Sequence, residues 1–147
     1  MVKSIGGRAA FAQTDVSQAD QVETMVDQAV ATYGSLNYAF NNAGYYPGMV
    51  PIGDYTEEMF DKAIATNLKG VWLCMKYQFP KMLSSGGGAI VNTASVAGMM
   101  GAAGHYGYIG SKWGVIGITR GAAREFAPTI RGQRGMPCSH RNPNGSK

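Results

Sequence analysis

The stretch RAAFAQTDVSQADQVETMVDQAVATYGSLNYAFNNAG, residues 8–44, decides the fold class. Its middle places Val22, Met25, Val26, Ala29, Val30 and Tyr33 at helical spacing, with Ser17 as N-cap and Gly34 as the C′ stop. The flanks RAAFAQTDVS and LNYAFNNAG each read as a short strand entering a polar turn. Strand, helix and strand at this spacing form a βαβ unit, which implies a parallel sheet and an α/β, doubly wound architecture.

Further along, a helix is expected from about Thr56, where Glu57 and Glu58 suit the positive helix end. Its apolar pattern runs through Met59, Ile64, Leu68, Trp72 and Met75 to about Met82, with Pro80 accommodated as a late kink or break. GGGAIVNTASVAG then reads as a buried strand entering a loop of small residues. A final helix spans about Tyr106 to Phe126 and carries Ile109, Trp113, Ile116 and Ile118. Its five glycines would let a neighbouring element approach closely.

The 147 residues allow one domain, and 45% apolar against 15% charged residues indicate a globular chain. The net charge of +4 does not describe a basic binding face. Residues 1–131 carry ten Lys/Arg and nine Asp/Glu, so the excess sits in Arg134, Arg141 and Lys147 at the end. That placement argues against nucleic acid as a partner. Cys74 falls in an apolar helical pattern and reads as a buried structural thiol, and neither it nor Cys138 has a disulfide or metal spacing. No metal is expected. With neither an 18-residue apolar run nor a signal-peptide pattern, a cytoplasmic location without membrane contact is the default expectation.

Tyr108 and Lys112 are four apart and share a helix face, whereas Tyr106 does not meet Lys112. A nearby cation favours the phenolate, which would make Tyr108 a usable general acid/base. An isolated pair of this kind is more often an exposed surface contact. Ser95 leaves the strand AIVNTAS at the end where parallel sheets bind ligands, so its hydroxyl would polarise a carbonyl or cap a turn. Asn67 lies inside an apolar helix, where it would hold a water, hold local backbone or face solvent. A Ser-His-Asp hydrolase has less support, because Ser95 lacks a GxSxG frame and His105 lacks an orienting acid.

Together, DV at 15–16, NNAG at 41–44, Asn67, Ser95 and YIGSK at 108–112 resemble the short-chain dehydrogenase/reductase family in order and spacing, over nearly all of residues 1–131. The resemblance implies a partial Rossmann-like, doubly wound parallel sheet lacking the first βαβ unit. It implies NAD or NADP as cofactor, with Asp15 and Val16 bordering the adenine. Asn41, Ala43 and Gly44 would line the cofactor site. Tyr108 would be the acid/base, Lys112 would assist it and hold the nicotinamide ribose, Ser95 would steady the reacting oxygen, and Asn67 would position a relay water. It further implies a small carbonyl or alcohol substrate and a homo-oligomer built on the two long helices.

The family's glycine-rich turn of the TGxxxGxG kind is missing, and IGG at 5–7 is only the nearest candidate. A partial catalytic domain is therefore expected over 1–131, followed by a disordered tail outside the family pattern at 132–147. The tail is consistent with one inserted nucleotide after the Arg131 codon: a permitted codon set, read one nucleotide later, gives VNAVCPAAIETPMV. DNA reads across that junction test this hypothesis. The expected function is an NAD(P)-dependent oxidoreductase; the competing expectation is an inactive fragment that at most associates with intact homologues.

Overall fold

The computed structural model describes residues 6–135. Helix α1 (Ala19–Tyr33) leads to strand β1 (Tyr38–Asn41); α2 (Glu57–Ile64), a π-helical segment (Ala65–Lys69) and α3 (Gly70–Ser84) form one continuous rod. Strand β2 (Gly88–Thr93), helix α4 (Tyr106–Phe126) and strand β3 (Ile130–Gly135) follow. The strands form a parallel sheet in the order β1-β2-β3, with Tyr38 opposite Ala89 and Gly88 opposite Ile130. Two βαβ crossovers, through the α2–α3 rod and through α4, build this α/β sheet.

The core lies between the sheet and the helices. Val71, Met75, Phe79 and Met82 of α3 meet Ile90 of β2, Val115 and Ile116 of α4, and Ile130 of β3. The other side of α3 presents Leu73 and Cys74 to Val22 of α1. Gly34 ends α1 at φ 84°, its N–H bonded to Val30 O at 2.8 Å. Thr56 caps α2 by accepting the Met59 N–H at 3.2 Å. Pro80 lies exposed within α3 and does not end it.

Several expectations need correction. Residues 8–17 contain no strand, because strand formation requires a partner and no described strand pairs with this segment. Phe11 is accordingly 89% exposed. The cap of α1 falls at Gln18, not Ser17; Ser17 instead donates its N–H to Asp15 Oδ1 at 2.9 Å in a local turn. The long helix is interrupted by the π turn, whose extra residue rotates the following face. Trp72 thus points outward while Val71 and Met75 point inward. Strand β3 runs to Gly135, so four residues beyond the expected boundary at Arg131 lie in a strand paired with β2. Residues 136–147, on which the rest of the tail reading falls, lie outside the described residues.

The glycines of α4 divide into two sets. A Cβ on Gly114 would lie 2.8 Å from Leu68 of the π segment, and one on Gly107 would lie 3.1 Å from the Phe60 backbone. These two allow the rod to approach α4, whereas Gly110, Gly117 and Gly121 face open space. The opposite sheet face carries Tyr38 and Phe40, 79% and 66% exposed. Among the described residues, no helix is long and apolar enough to cross a membrane.

Candidate active site

The ends of β1 and β2, the start of α4 and the π turn bring polar groups together at the carboxyl end of the sheet. Lys112 is 3% exposed, donates from Nζ to Thr93 O at 2.9 Å, and stands 5.6 Å from the Tyr108 ring centroid. Burial holds the Lys112 ammonium below the usual lysine range. One ammonium hydrogen goes to Thr93 O, which leaves two for other acceptors. Tyr106 instead packs its ring edge-on against Tyr55, at a centroid distance of 5.6 Å.

Ser95 starts the short 3-10 turn Val96–Gly98 and accepts the Ala97 N–H at 3.2 Å. The turn-capping role considered from sequence is therefore present, and it leaves the Ser95 hydroxyl hydrogen without an acceptor among the described residues. Gly98 fixes this turn on α4, since a Cβ there would sit 2.8 Å from Lys112 O.

Asn67 is completely buried and holds backbone on both sides of one residue. Its Oδ1 accepts the Tyr45 N–H at 2.6 Å, while Nδ2 donates to Tyr45 O at 2.8 Å and to Ser111 Oγ at 3.1 Å. Ser111 in turn donates to Tyr108 O at 2.6 Å. The π turn thus ties the segment after NNAG to the helix bearing Tyr108. Both amide hydrogens of Asn67 are used, so a water could only donate to its side chain.

Asn41 points inward. Its amide exchanges hydrogen bonds with Gln78 at 3.1 and 2.9 Å and donates to Asn92 Oδ1 at 2.8 Å. Asn92 continues to Thr119 Oγ1 at 3.0 Å. This buried chain joins β1, α3, β2 and α4. The sequence reading did not single out Gln78, Asn92, Thr119 or Ser111. Gln78 did carry a signal: it is a polar residue on the same apolar stripe as Met75 and Met82.

Val16, Asn41 and Ala43 line one cavity of about 120 Å³, together with Gly70 and Cys74. Gly70 permits the contact with Val16, because a Cβ there would lie 2.8 Å from Val16 Cγ2. Gly44 adjoins Asn67, with Oδ1 3.6 Å from where its Cβ would be. Asp15 lies outside this lining and is exposed; hydrogen bonding from Ser17 holds its carboxyl below the usual range. Burial pushes the Cys74 thiol up to about 11, in keeping with a structural role. His105, isolated in sequence, lies with its Nδ1 3.1 Å from Tyr46 Oη, and the Tyr46 ring meets Tyr108 edge-on at 5.2 Å.

A parallel sheet with these groups at its strand ends defines a Rossmann-like α/β unit. The chain matches the short chain dehydrogenase family over residues 1–137 and belongs to it. It is 41% identical over 127 residues to 2,5-dichloro-2,5-cyclohexadiene-1,4-diol dehydrogenase of Sphingobium indicum, covering 86% of this chain and 51% of that protein. Carveol dehydrogenase from Mycobacterium avium in complex with NAD superposes with a TM-score of 0.88 at 34% identity, over 92% of this chain and 50% of the other. ElxO with NADP bound superposes with a TM-score of 0.81 at 36% identity, over 85% and 51%. The chain spans about half the length of the curated relatives it matches.

Proposed function

We propose that this chain carries the catalytic half of an NAD(P)-dependent oxidoreductase that interconverts a secondary alcohol and its ketone. The carrying observation is the Tyr108–Lys112 pair, with the lysine desolvated and fastened to Thr93 O at the sheet's carboxyl end. The nicotinamide end of a cofactor fits the residues present: Ala43 and Gly44 are small, and Lys112 has two free donors toward a ribose. Asn41 would line the same cofactor, and Asp15 and Val16 would border its adenine end. When bound, NAD(P) supplies hydride acceptance or donation. Relatives with NAD and with NADP support either dinucleotide.

In the oxidising direction, Tyr108 takes the proton from the substrate hydroxyl, and Lys112 stabilises the negative charge on the phenol oxygen in the deprotonated state. Ser95 donates its free hydroxyl hydrogen to the reacting oxygen. Asn67 and Ser111 hold the Tyr108 backbone in place. The names of two relatives denote ring alcohols, and the aromatic wall of Tyr46 and His105 suits a compact ring. The reading also includes a second copy packed on the outer faces of α3 and α4, where Trp72, Phe79, Ile118 and Phe126 border an apolar cavity of about 490 Å³. Its location in this reading is cytoplasmic.

The test is reduced-nicotinamide formation from a secondary alcohol by the purified chain and by Tyr108→Phe. Loss of at least about 100-fold in turnover, with cofactor binding kept, supports the assignment. Equal turnover in the variant sinks it. The competing reading is an inactive fragment that associates with intact homologues, and the exposed face of β1 favours it. Absent turnover combined with co-purification on an intact relative would select that reading.

A further inference from the structure

We propose that Tyr46 and His105 form a recognition pair for a second oxygen on the ring substrate, distant from the carbon that reacts. This deepens the reading of Tyr108 as acid/base and rests on it. Tyr46 is 54% exposed, yet it is fixed at several points. The preceding residue, Tyr45, has its N–H and C=O both bonded to Asn67. The Tyr46 hydroxyl and His105 Nδ1 are 3.1 Å apart, and the Tyr46 and Tyr108 rings meet in a T-shaped pair with planes at 71°. The same loop is fastened again where Val50 N–H donates to Gly104 O at 3.0 Å. Gly104 has φ 79°, and a Cβ there would lie 2.6 Å from Met49 Cγ, so the loops meet too closely for a side chain.

A phenol held this way contributes little to the core and presents a defined polar edge. The Tyr46–His105 hydrogen bond uses one proton and one lone pair. His105 Nε2 and the remaining hydrogen-bonding capacity of Tyr46 Oη have no partner among the described residues. The free capacity lies beside the ring of Tyr108. A substrate whose reacting hydroxyl reaches Tyr108 would lay its body along the Tyr46 ring. An oxygen substituent across a six-membered ring would then satisfy the pair, whereas a bare hydrocarbon end would leave it unpaired. Sites built to hydrogen-bond a substrate group discriminate against analogues lacking it more sharply than apolar pockets discriminate by size.

The test compares trans-cyclohexane-1,4-diol with cyclohexanol as substrates, using NAD and NADP in turn, for wild type, Tyr46→Phe, His105→Phe and the double variant. The ratio of kcat/KM for diol over cyclohexanol should fall about tenfold in Tyr46→Phe, chiefly through KM, as expected for one hydrogen bond to a neutral partner. The double variant should be no worse than either single one, because the residues act as a unit. An unchanged ratio in Tyr46→Phe overturns the proposal. Calorimetric binding of the two probes provides a readout independent of turnover. If wild type oxidises neither probe, the oxidoreductase reading fails. Diol binding weakened several-fold by Tyr46→Phe would still support the pair, and diol binding indifferent to that change would refute it.

Discussion

Replacing Asn67 tests how the π turn holds the site. The side chain is fully buried and makes three hydrogen bonds, two to Tyr45 and one to Ser111. At roughly 1 kcal/mol each, Asn67→Ala should cost about 3 kcal/mol, or about 10 °C in Tm for a chain of this size. Asn67→Asp separates hydrogen bonding from charge. A neutral Asp keeps the bond from Tyr45 N–H and can donate once, so near pH 4 it should lose only about 1 kcal/mol. Ionised, the carboxylate would lie buried against Tyr45 O, so its folded pKa would be raised above the unfolded value. The unfolded chain then binds fewer protons across that window, and stability falls as pH rises. The slope is up to about 1.4 kcal/mol per pH unit until the folded pKa is passed. Thermal unfolding at about pH 4.5 and pH 8 should therefore cross over, with Asp above Ala at the lower pH and below it at the higher. Parallel melting of the two variants at both pH values, or a loss under about 2 °C for Asn67→Ala, would refute the reasoning.

Other perturbations test separate parts of the structure. Gln78→Leu removes two hydrogen bonds from the buried Asn41 amide and should cost about 2–4 kcal/mol, read as a lower midpoint in urea with unchanged m. Lys112→Met should abolish turnover. Because burial lowers the Lys112 pKa, the unfolded state binds more protons between the folded and unfolded values, and wild-type stability rises with pH there. The wild-type advantage in Tm over Lys112→Met should accordingly grow from about pH 7 to pH 9.5, and a shrinking gap would contradict it. With its thiol at about 11, Cys74 should resist alkylation near pH 7.5 in the native protein and react once unfolded, as peptide mapping would show.

The parts legible in the sequence were those set by local pattern. Helix α4 spans the expected Tyr106–Phe126, and Gly34 ends α1 because only a residue tolerant of positive φ continues the chain there. The separation of Tyr108 from Tyr106 followed from helical spacing, and the two rings do face different neighbours. Nonlocal features were less legible. Residues 8–17 have an acceptable strand composition, but a partner strand cannot be read from composition. The π turn displaces helical periodicity by one residue, so a pattern read through it put Trp72 on the wrong face. Asn67 marked the place, since a polar amide in an apolar stripe requires partners. The partners themselves, Tyr45 backbone and Ser111, come from distant segments. Asn41 was read with the cofactor turn, and its side chain binds Gln78 and Asn92 because β1 alternates faces and residue 41 falls on the inner one.

The central claim is that a working dinucleotide site is assembled from Val16 at the adenine end and from the NNAG turn, Tyr108 and Lys112 at the nicotinamide end. Thermal unfolding of the chain with and without NAD(H) and NADP(H) tests it most directly. One dinucleotide at 100 times its Kd should stabilise the folded state by about 2.7 kcal/mol, raising Tm by roughly 5–10 °C. A midpoint indifferent to millimolar amounts of either dinucleotide would contradict the claim.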